Sequence, residues 1–304
     1  MHDLTLCGWR VASQFPIPDL APWIGDARDA DIVIRLGKVP ERLDELVHES
    51  PLFQVAADGR CRFIISEVAA YLIKGGSEIV VDPYIELSSP DIRVFLLGTV
   101  LGVLCHQRGV IPVHASCVDI NGKAALFAGP SGVGKSTLAA GFMRRGYSVL
   151  ADEVTVVQPD GRGGYQVFPS FPRLKLWSRS ADALGLAYRG EEQSRQELEK
   201  YHLRLQDQAP MVARPLGSIH HMGVVHAPQF EKTEALTRQE ALPLLMRSIY
   251  RLRAARRLDP TLSRVTSTAV TVAMSCPRHW RRARSHNIEQ LDALVTSIIA
   301  SAGN

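Results

Sequence analysis

The segment Gly129–Ser136 reads GPSGVGKS and fits the pattern G-x-x-x-x-G-K-[ST] at every defined position. Glycines let backbone N–H groups turn inward around an anion, and the start of the following helix adds partial positive charge, so such a loop holds phosphates. Lys135 would reach the outer phosphates, and the Ser136 hydroxyl would ligate Mg²⁺. The flanking stretches KAALFAG and STLAAGFMRRG predict the strand and the helix that this motif requires.

The phosphate loop alone does not identify a reaction, because GTPases, ABC transporters and several kinases share it. The chain contains no N-K-x-D motif for reading guanine and no L-S-G-G-Q signature of ABC ATPases. We therefore predict ATP, with Mg²⁺, as the cofactor. The predicted nucleotide-binding residues are Gly129, Pro130, Ser131, Gly132, Val133, Gly134, Lys135, Ser136, Thr137 and Lys200.

Two carboxylates follow the next apolar strand, where Asp152 and Glu153 end the run YSVLADE. A parallel sheet would bring this strand end beside the phosphate loop. One carboxylate could hold Mg²⁺ and the other could take a proton from an attacking hydroxyl; adjacent strand residues face opposite ways, so the two roles are expected to be separate. A solvated strand end is the alternative for each residue. His114, in PVHASCV, is by spacing alone more typical of a core histidine than of a catalyst.

Several cations are second-tier candidates for phosphate contacts, because a cation near a transferring phosphoryl group stabilises its charge. These are Arg173, Lys175, Lys200 and Arg204; solvated or ion-paired surface positions are the alternative. The basic runs RSIYRLRAARR and RHWRRARSHN could attract an acidic peptide or could be solvated faces. The histidines of HHMGVVH lack the spacing and the acid of a typical metal site.

Composition excludes several classes of protein. The chain has 304 residues, 46% apolar and 22% charged, as in ordinary globular domains. The excess of Lys and Arg over Asp and Glu, 35 − 31 = 4, is too small to indicate a nucleic-acid partner. Five scattered cysteines predict reduced thiols in a cytoplasmic protein. The apolar run Val94–Cys105 is too short for a membrane span, so we expect a buried helix and no membrane partner.

The pattern of β-prone runs, turn signals and helix signals along the chain predicts two regions. Residues 1–88 alternate short β-prone runs with turn signals, which indicates a β-rich N-terminal region. Ser89 and Pro90 open the second region, 89–304, as the cap and first turn of a helix. Three later elements are expected: one amphipathic helix over RQEALPLLMRSIYRLRAARRL, a strand over TSTAVTVAMSCP and a closing helix over NIEQLDALVTSIIAS. The polar segment 190–210 is expected to be a mobile loop or lid with a helical piece.

The order of these motifs, from His114 through the hairpin, GPSGVGKS, RRGY and LADE, resembles the HPr kinase/phosphorylase superfamily over Val110–Val157. That resemblance implies an α/β fold with a phosphoenolpyruvate carboxykinase-like P-loop kinase core, here joined to the smaller β-rich N-terminal region. It implies transfer of phosphate to a serine hydroxyl of a protein. The chain departs from the family in Ala115, in Glu153 and in lacking a recognisable segment for phosphorolysis. Its later segments look like a divergent branch that includes lasso-peptide tailoring kinases, which phosphorylate a C-terminal serine of a precursor peptide.

Carried over to this sequence, the resemblance assigns Asp152 as the general base, with His114 next to it and Lys135 on the phosphates; these three are the predicted catalytic residues. Ser136 and Glu153 are the predicted Mg²⁺ ligands. The predicted function is ATP- and Mg²⁺-dependent phosphorylation of a serine on a peptide or protein, the predicted partner. A small-molecule hydroxyl kinase and a non-catalytic nucleotide-binding regulator stay open as alternatives, as does assembly into a homo-oligomer.

Overall fold

The computed structural model describes residues 1–171, 173–187, 192–193, 200–205, 209–285 and 287–303. Over these residues the architecture is mixed α/β with three sheets, which confirms the α/β part of the predicted fold class. The chain forms two compact units, Met1–Pro112 with Tyr250–Thr268, and Val113–Ile249 with Ala269–Asn304. The first unit therefore extends beyond the expected boundary at 88/89, and the division into an N-terminal region and a kinase domain stays a prediction.

The first unit is built on an eight-stranded sheet. Its strands pair antiparallel except on the two sides of Ile32–Leu36, where the pairing is parallel. In spatial order the strands are His2–Leu6, Trp9–Ser13, Ile32–Leu36, Glu78–Pro83, Ala69–Lys74, Cys61–Ile65, Phe53–Ala56 and Leu46–Ser50. Its helices are the short turn Pro18–Leu20, Pro90–Phe95, the π-helix Leu96–Val100, Leu101–Gln107 and Leu252–Leu258.

The expected buried helix over Val94–Cys105 is confirmed, because three consecutive helical segments cover this run and most of its residues are buried. The cap is also confirmed: the Ser89 hydroxyl accepts a hydrogen bond from the Asp91 amide at the start of the helix. Among the described residues, no helix combines the length and apolar character needed to span a membrane.

The second unit carries the phosphate loop on its main sheet. The loop strand, Lys123–Ala128, lies between Ala115–Ile120, its antiparallel hairpin partner, and Arg214–Val224, which runs parallel to it. The hairpin turns at Asn121 and Gly122 as predicted, and both have positive φ, 53° and 79°. Val149–Ala151 pairs antiparallel with the other edge of Ala115–Ile120, so it runs in the same direction as the loop strand.

Further strands complete the two sheets of this unit. Arg214–Val224 also pairs with Arg278–Arg284, parallel, and with Tyr165–Val167, antiparallel. A separate three-stranded sheet has the order Arg173–Trp177, Lys200–Arg204, Glu192–Gln193. The remaining strands are Thr155–Pro159, Lys232–Leu236 and Ile111–Val113, the last of which contains the boundary between the units. The helices are Lys135–Arg144, Ser178–Ala183, Pro228–Phe230, Arg238–Arg247, Ser263–Ser275, which also contains a boundary, Ile288–Gln290 and Leu291–Gly303.

The loop helix, Lys135–Arg144, packs on the sheet through an apolar core. Phe127 of the loop strand stacks on Phe142 of the helix with ring centroids 5.4 Å apart. Both rings are fully buried, in a cluster that also contains Leu138 and Val295. Burial of large aromatic rings is among the strongest stabilising contributions in a core, so this packing fixes the loop between its strand and its helix.

Two expected elements are wrong. The segment TSTAVTVAMSCP is not a strand, because all but its last two residues belong to the helix Ser263–Ser275. Its β-branched residues suggested a strand, but Val265, Ala269 and Val272 recur at helical spacing and are buried, and burial of that face outweighs local propensity. The basic segment after Arg238 is not one helix, because Arg251 has φ 54° and separates Arg238–Arg247 from Leu252–Leu258. The closing helix is confirmed.

Candidate active site

The phosphate loop begins where the loop strand ends, at a close backbone approach. A Cβ on Gly129 would lie 2.6 Å from the carbonyl oxygen of Met222 on the neighbouring strand, so glycine is required there. Gly134 caps the loop helix with φ 91°, a left-handed conformation that also favours glycine. The glycines of the motif therefore serve the strand-to-helix turn itself, and that turn sets the position of the loop amides.

Lys135 is held inside the loop that it belongs to. Its Nζ donates to the carbonyl oxygens of Gly129, at 2.9 Å, and Pro130, at 2.8 Å. The side chain is only 6% exposed. A buried ammonium group at the centre of a glycine-rich loop gives this position the charge that a phosphate chain needs.

Asp152 lies against the loop at the end of the strand Val149–Ala151. Its Oδ1 accepts hydrogen bonds from Ser116 Oγ, at 2.6 Å, and from Ser136 Oγ, at 2.9 Å, and its Oδ2 accepts one from the Lys175 amide, at 2.8 Å. The residue is 2% exposed. Burial raises the pKa of Asp152, and the three hydrogen bonds act in the opposite direction. The carboxylate is thus enclosed and bonded to the loop serine.

Glu153 follows with φ 71°, a left-handed conformation that separates its side chain from that of Asp152. Its carboxylate forms an ion pair with Lys175, whose Nζ lies 3.2 Å and 3.4 Å from the two oxygens. The side chain is half-buried and lines the cavity described below. Of the two adjacent acids, the second is therefore the one that faces the cavity.

His114 lies beside the backbone of the acid pair. Its Nδ1 is 3.0 Å from the carbonyl oxygen of Glu153. Because a carbonyl oxygen can only accept, Nδ1 carries the hydrogen, and in the neutral ring Nε2 is then the acceptor. The His114 amide donates to Ser248 O at 2.7 Å, which fixes the backbone of this position. His114 lines the same cavity as Glu153.

A cavity of about 560 Å³ opens over the loop. Its lining includes most of the residues predicted from sequence, namely His114, Ser131, Gly132, Gly134, Lys135, Ser136, Thr137 and Glu153. Gly129 and Val133 are buried in the loop and Pro130 is exposed, and Asp152 is hydrogen-bonded to Ser136. For Lys200, the backbone pairs with Trp177, and its side chain lies outside the described residues, as does most of the expected lid at 190–210.

Sequence reasoning missed several residues of this cavity. Trp177, Arg179, Ile288 and Arg284 line it, and Ser116 holds Asp152 from beneath. Lys175 was a second-tier candidate, and the structure brings it to the acid pair. Arg173, the other candidate on that strand, instead has its guanidinium over the Phe171 ring, 4.7 Å from the centroid. The only sequence signal for Arg284 was the basic run around it.

The oxygen donors of the site fit a hard divalent cation. Ser136 Oγ and Asp152 Oδ1 are adjacent, and the Glu153 carboxylate lines the same cavity. Mg²⁺ prefers such oxygens and commonly takes one or two carboxylates together with substrate phosphates. Among the described residues, no group of three or more His, Cys, Asp or Glu side chains could hold a metal ion.

Comparison with known proteins places part of the chain in a family context. Residues 88–184 match the family model described as SynChlorMet cassette protein ScmC. Forty-eight residues are 42% identical to the HPr kinase/phosphorylases of Chlorobium luteolum, Pelodictyon phaeoclathratiforme and Chlorobium phaeovibrioides. Over these residues the chain is similar to HPr kinase/phosphorylases. This resemblance confirms the one inferred from the motifs.

The HPr kinase-like match is short. It covers 16% of this chain and spans 14% of the length of the curated relatives. A solved structure, the Hpr(Ser) kinase/phosphatase from Coxiella burnetii, aligns with 62% of this chain and 94% of its own at 10% identity, with a TM-score of 0.32.

Proposed function

We propose that this protein is an ATP- and Mg²⁺-dependent kinase that transfers the γ-phosphate to a serine hydroxyl of a peptide or protein. One observation carries the proposal: Ser136 Oγ and Asp152 Oδ1 lie 2.9 Å apart, which joins the acid pair to the phosphate loop. A loop that only held a nucleotide would need neither Glu153 nor His114 in its cavity. The core is proposed to be of the phosphoenolpyruvate carboxykinase-like P-loop kind.

The phosphate loop would bind the triphosphate through its amides, the N-terminus of its helix and Lys135. These groups are fixed by the strand-to-helix turn before any substrate arrives, so little reorganisation is needed as charge develops on the transferring group. Ser136 and Asp152 are the proposed holders of Mg²⁺, which when bound neutralises phosphate charge. Phosphoryl transfer requires mostly positioning and charge stabilisation, which this arrangement can supply.

The placement of the acids favours an exchange of the roles expected from sequence. A general base must come within hydrogen-bonding reach of the acceptor hydroxyl. Glu153 lines the cavity, whereas Asp152 is 2% exposed and already holds three donors. We infer that Glu153 is the group nearest the acceptor and that Asp152 orients Ser136. His114 positions the Glu153 backbone through its hydrogen bond to the carbonyl.

The proposed acceptor is the C-terminal serine of a lasso-peptide precursor, following the resemblance of the later segments to that branch of kinases. The similar proteins are named HPr kinase/phosphorylases, after a protein, HPr, that they act on. This supports a polypeptide, rather than a small molecule, as the acceptor. The five cysteines are free and buried, and we propose that the reaction takes place in the cytoplasm, where thiols stay reduced.

A direct test incubates the purified protein with γ-labelled ATP, Mg²⁺ and a pool of peptides ending in serine. Each peptide is paired with the same sequence ending in alanine, and a Glu153→Gln variant serves as the catalytic control. The proposal predicts label on the serine-ended peptides alone, at a rate at least roughly 100-fold lower in the variant. Label on a small-molecule hydroxyl would instead establish the first alternative. Tight ATP binding with no transfer to any acceptor would establish a regulator.

A further inference from the structure

The strand Arg278–Arg284 brings a basic side chain to the phosphate-loop edge of the sheet. It runs parallel to Arg214–Val224, with Arg284 opposite Val224, and that strand runs parallel to the loop strand, with His221 opposite Ala128. The carboxyl ends of parallel strands meet at one edge of a sheet, so Arg284 and the start of the loop lie at the same edge. The cavity over the loop is lined by Arg284 accordingly.

The Arg284 guanidinium approaches the loop where the helix begins. Its Nη1 and Cζ lie 3.8 Å and 3.9 Å from the position that a Cβ on Gly134 would occupy. Nε donates a long hydrogen bond to the Ser285 carbonyl oxygen, at 3.4 Å. Nη1 is buried and has no hydrogen-bond partner among the described residues. A donor of a charged group thus lies buried beside the start of the loop helix, and no described residue accepts a hydrogen bond from it.

The other arginines of this strand are engaged differently. Arg281 is exposed and pairs with Glu234 on the neighbouring strand, and Arg282 donates from Nε to His220 Nδ1 at 2.9 Å. Glu231 interacts electrostatically with Arg284, and it already accepts hydrogen bonds from the Ser285 amide, at 2.8 Å, and from the Ser285 hydroxyl. Because its Nη1 is buried, Arg284 does not fit a fully solvated face, one of the two predictions for the basic run; attraction of an acidic peptide stays a prediction.

Leaving a buried donor of a charged group unpaired costs free energy, so the buried Nη1 of the half-buried Arg284 indicates an anionic partner. Burial lowers the pKa of Arg284, and its guanidinium nevertheless keeps its charge at neutral pH. The planar, multidentate guanidinium matches phosphate oxygens, and the adjacent loop is itself a phosphate-binding device. The chemistry of the Arg284 guanidinium and its position beside the loop therefore both indicate a phosphate group as the partner.

We propose that Arg284 binds the phosphate chain of the nucleotide held in the loop. This inference rests on the proposed function, because it takes the loop to hold ATP. The residue comes from the last strand of the sheet, more than a hundred positions after the loop, and supplies in the same chain a second cation beside Lys135. During transfer, a fixed guanidinium at this place stabilises the negative charge on the phosphoryl group.

The test measures ATP affinity by isothermal titration in the wild type and in Arg284→Gln, Arg284→Lys and Arg281→Gln. A charge-assisted hydrogen bond to phosphate predicts a roughly 10- to 100-fold weaker affinity in Arg284→Gln. Arg284→Lys should recover part of the loss, since it restores the charge without the planar fork. Arg281→Gln removes an exposed arginine of the same strand and should bind ATP as the wild type does.

Thermal unfolding of each variant separates binding from stability. If Arg284→Gln lowers the melting temperature but binds ATP as tightly as the wild type, the residue is structural and the inference is wrong, while the proposed kinase stands. Equal loss of affinity in Arg281→Gln and Arg284→Gln would also overturn it, because the effect would then be one of overall charge. A wild type that binds no ATP would overturn the proposed function itself.

Discussion

Asp152 accepts a hydrogen bond from the hydroxyl of Ser136, the last residue of the phosphate loop, at 2.9 Å. The same carboxylate oxygen accepts from Ser116 at 2.6 Å, so the buried residues Ser116 and Asp152 support Ser136, which lines the cavity. These hydrogen bonds connect a strand, the loop helix and the residue that follows a second strand. They also fix the rotamer of the serine that is expected to meet Mg²⁺, which is why Asp152 matters without facing the cavity.

Asp152→Asn is expected to separate binding from stability. The asparagine oxygen can accept from the Lys175 amide, and its NH₂ group can donate to Ser116 and Ser136, whose hydroxyls can act as acceptors. Mg²⁺-dependent ATP affinity should fall because the negative charge is gone. The folded protein should nevertheless be at least as stable at neutral pH, because burial no longer opposes an ionised group.

The difference in stability between Asp152→Asn and the wild type should depend on pH. Burial raises the pKa of Asp152 above its ordinary value of 3.8, so the wild type is most stabilised by this group below that value and loses the contribution as pH rises through the folded pKa. The melting temperature of Asp152→Asn relative to the wild type should therefore increase from pH 4 to pH 8. A relative melting temperature that falls over the same range would contradict this account.

Trp177 should report on nucleotide binding. It is 45% exposed and lines the cavity over the loop, whereas Trp9 and Trp23 are each 7% exposed. A ligand that enters the cavity changes the surroundings of this indole, so ATP should change the tryptophan fluorescence of the wild type. Trp177→Phe should remove that change while ATP binding stays measurable by calorimetry. A signal of equal size in the variant would show that the nucleotide binds elsewhere.

Gly129→Ala tests the close approach between the loop and its neighbouring strand. The added Cβ would lie 2.6 Å from the Met222 carbonyl oxygen, a backbone atom, so one of the two chains must shift. We expect a loss of about 1–3 kcal/mol in the free energy of unfolding and weaker ATP binding. Gly223→Ala is the matched control on the adjacent strand, because nothing lies within 4 Å of its Cβ position. Equal effects of the two substitutions would contradict the close approach as the cause.

His221 should make the second unit sensitive to acid. The side chain is 5% exposed, stacks on His279 with centroids 5.7 Å apart, and neither ring nitrogen has a hydrogen-bond partner in the part of the chain that the structure describes. Burial, with the charges of His279 and Arg281, lowers the pKa of His221 to about 3. Its contribution to stability is therefore complete above the ordinary value of 6.5 and is lost as pH falls from there toward about 3.

His221→Phe keeps an aromatic ring at this position and removes both unpaired ring nitrogens. We expect a gain of about 1 kcal/mol in the free energy of unfolding at neutral pH and a smaller loss of stability on acidification, measured by thermal unfolding between pH 4 and pH 8. His2→Gln, an exposed position, should leave the pH profile unchanged. A His221→Phe profile that falls as steeply as that of the wild type would assign the acid sensitivity to other groups.

The sequence predicted those parts of the site that short motifs or the periodicity of neighbouring residues indicate. The loop, its strand and its helix follow from one motif and from apolar periodicity, and the strand end with Asp152 and Glu153 follows from the next apolar run. Which of these acids is buried and which lines the cavity could not be predicted, since it depends on the φ of 71° at Glu153 and on Ser116 from another strand. The sequence alone does not show which of two adjacent carboxylates lines a cavity, because that depends on the backbone conformation at these residues.

Long-range pairing explains the rest. Arg284 reaches the cavity only because its strand pairs with Arg214–Val224, a register that no local pattern encodes. The helix Ser263–Ser275 was expected to be a strand because Thr and Val are common in strands, yet its buried positions follow a helical repeat. In both cases tertiary contacts determine the structure, and patterns in a single sequence report only on local structure.

The most direct test of the account is a calorimetric titration of ATP, with and without Mg²⁺, into the wild type and into Lys135→Met. Circular dichroism and thermal unfolding would establish that the variant is folded. If the phosphate loop holds ATP through Lys135, the wild type binds one ATP per chain, more tightly with Mg²⁺, and Lys135→Met binds it at least roughly 10-fold more weakly. Absence of binding in the wild type, or equal affinity in the folded variant, would contradict the claim that this cavity holds ATP.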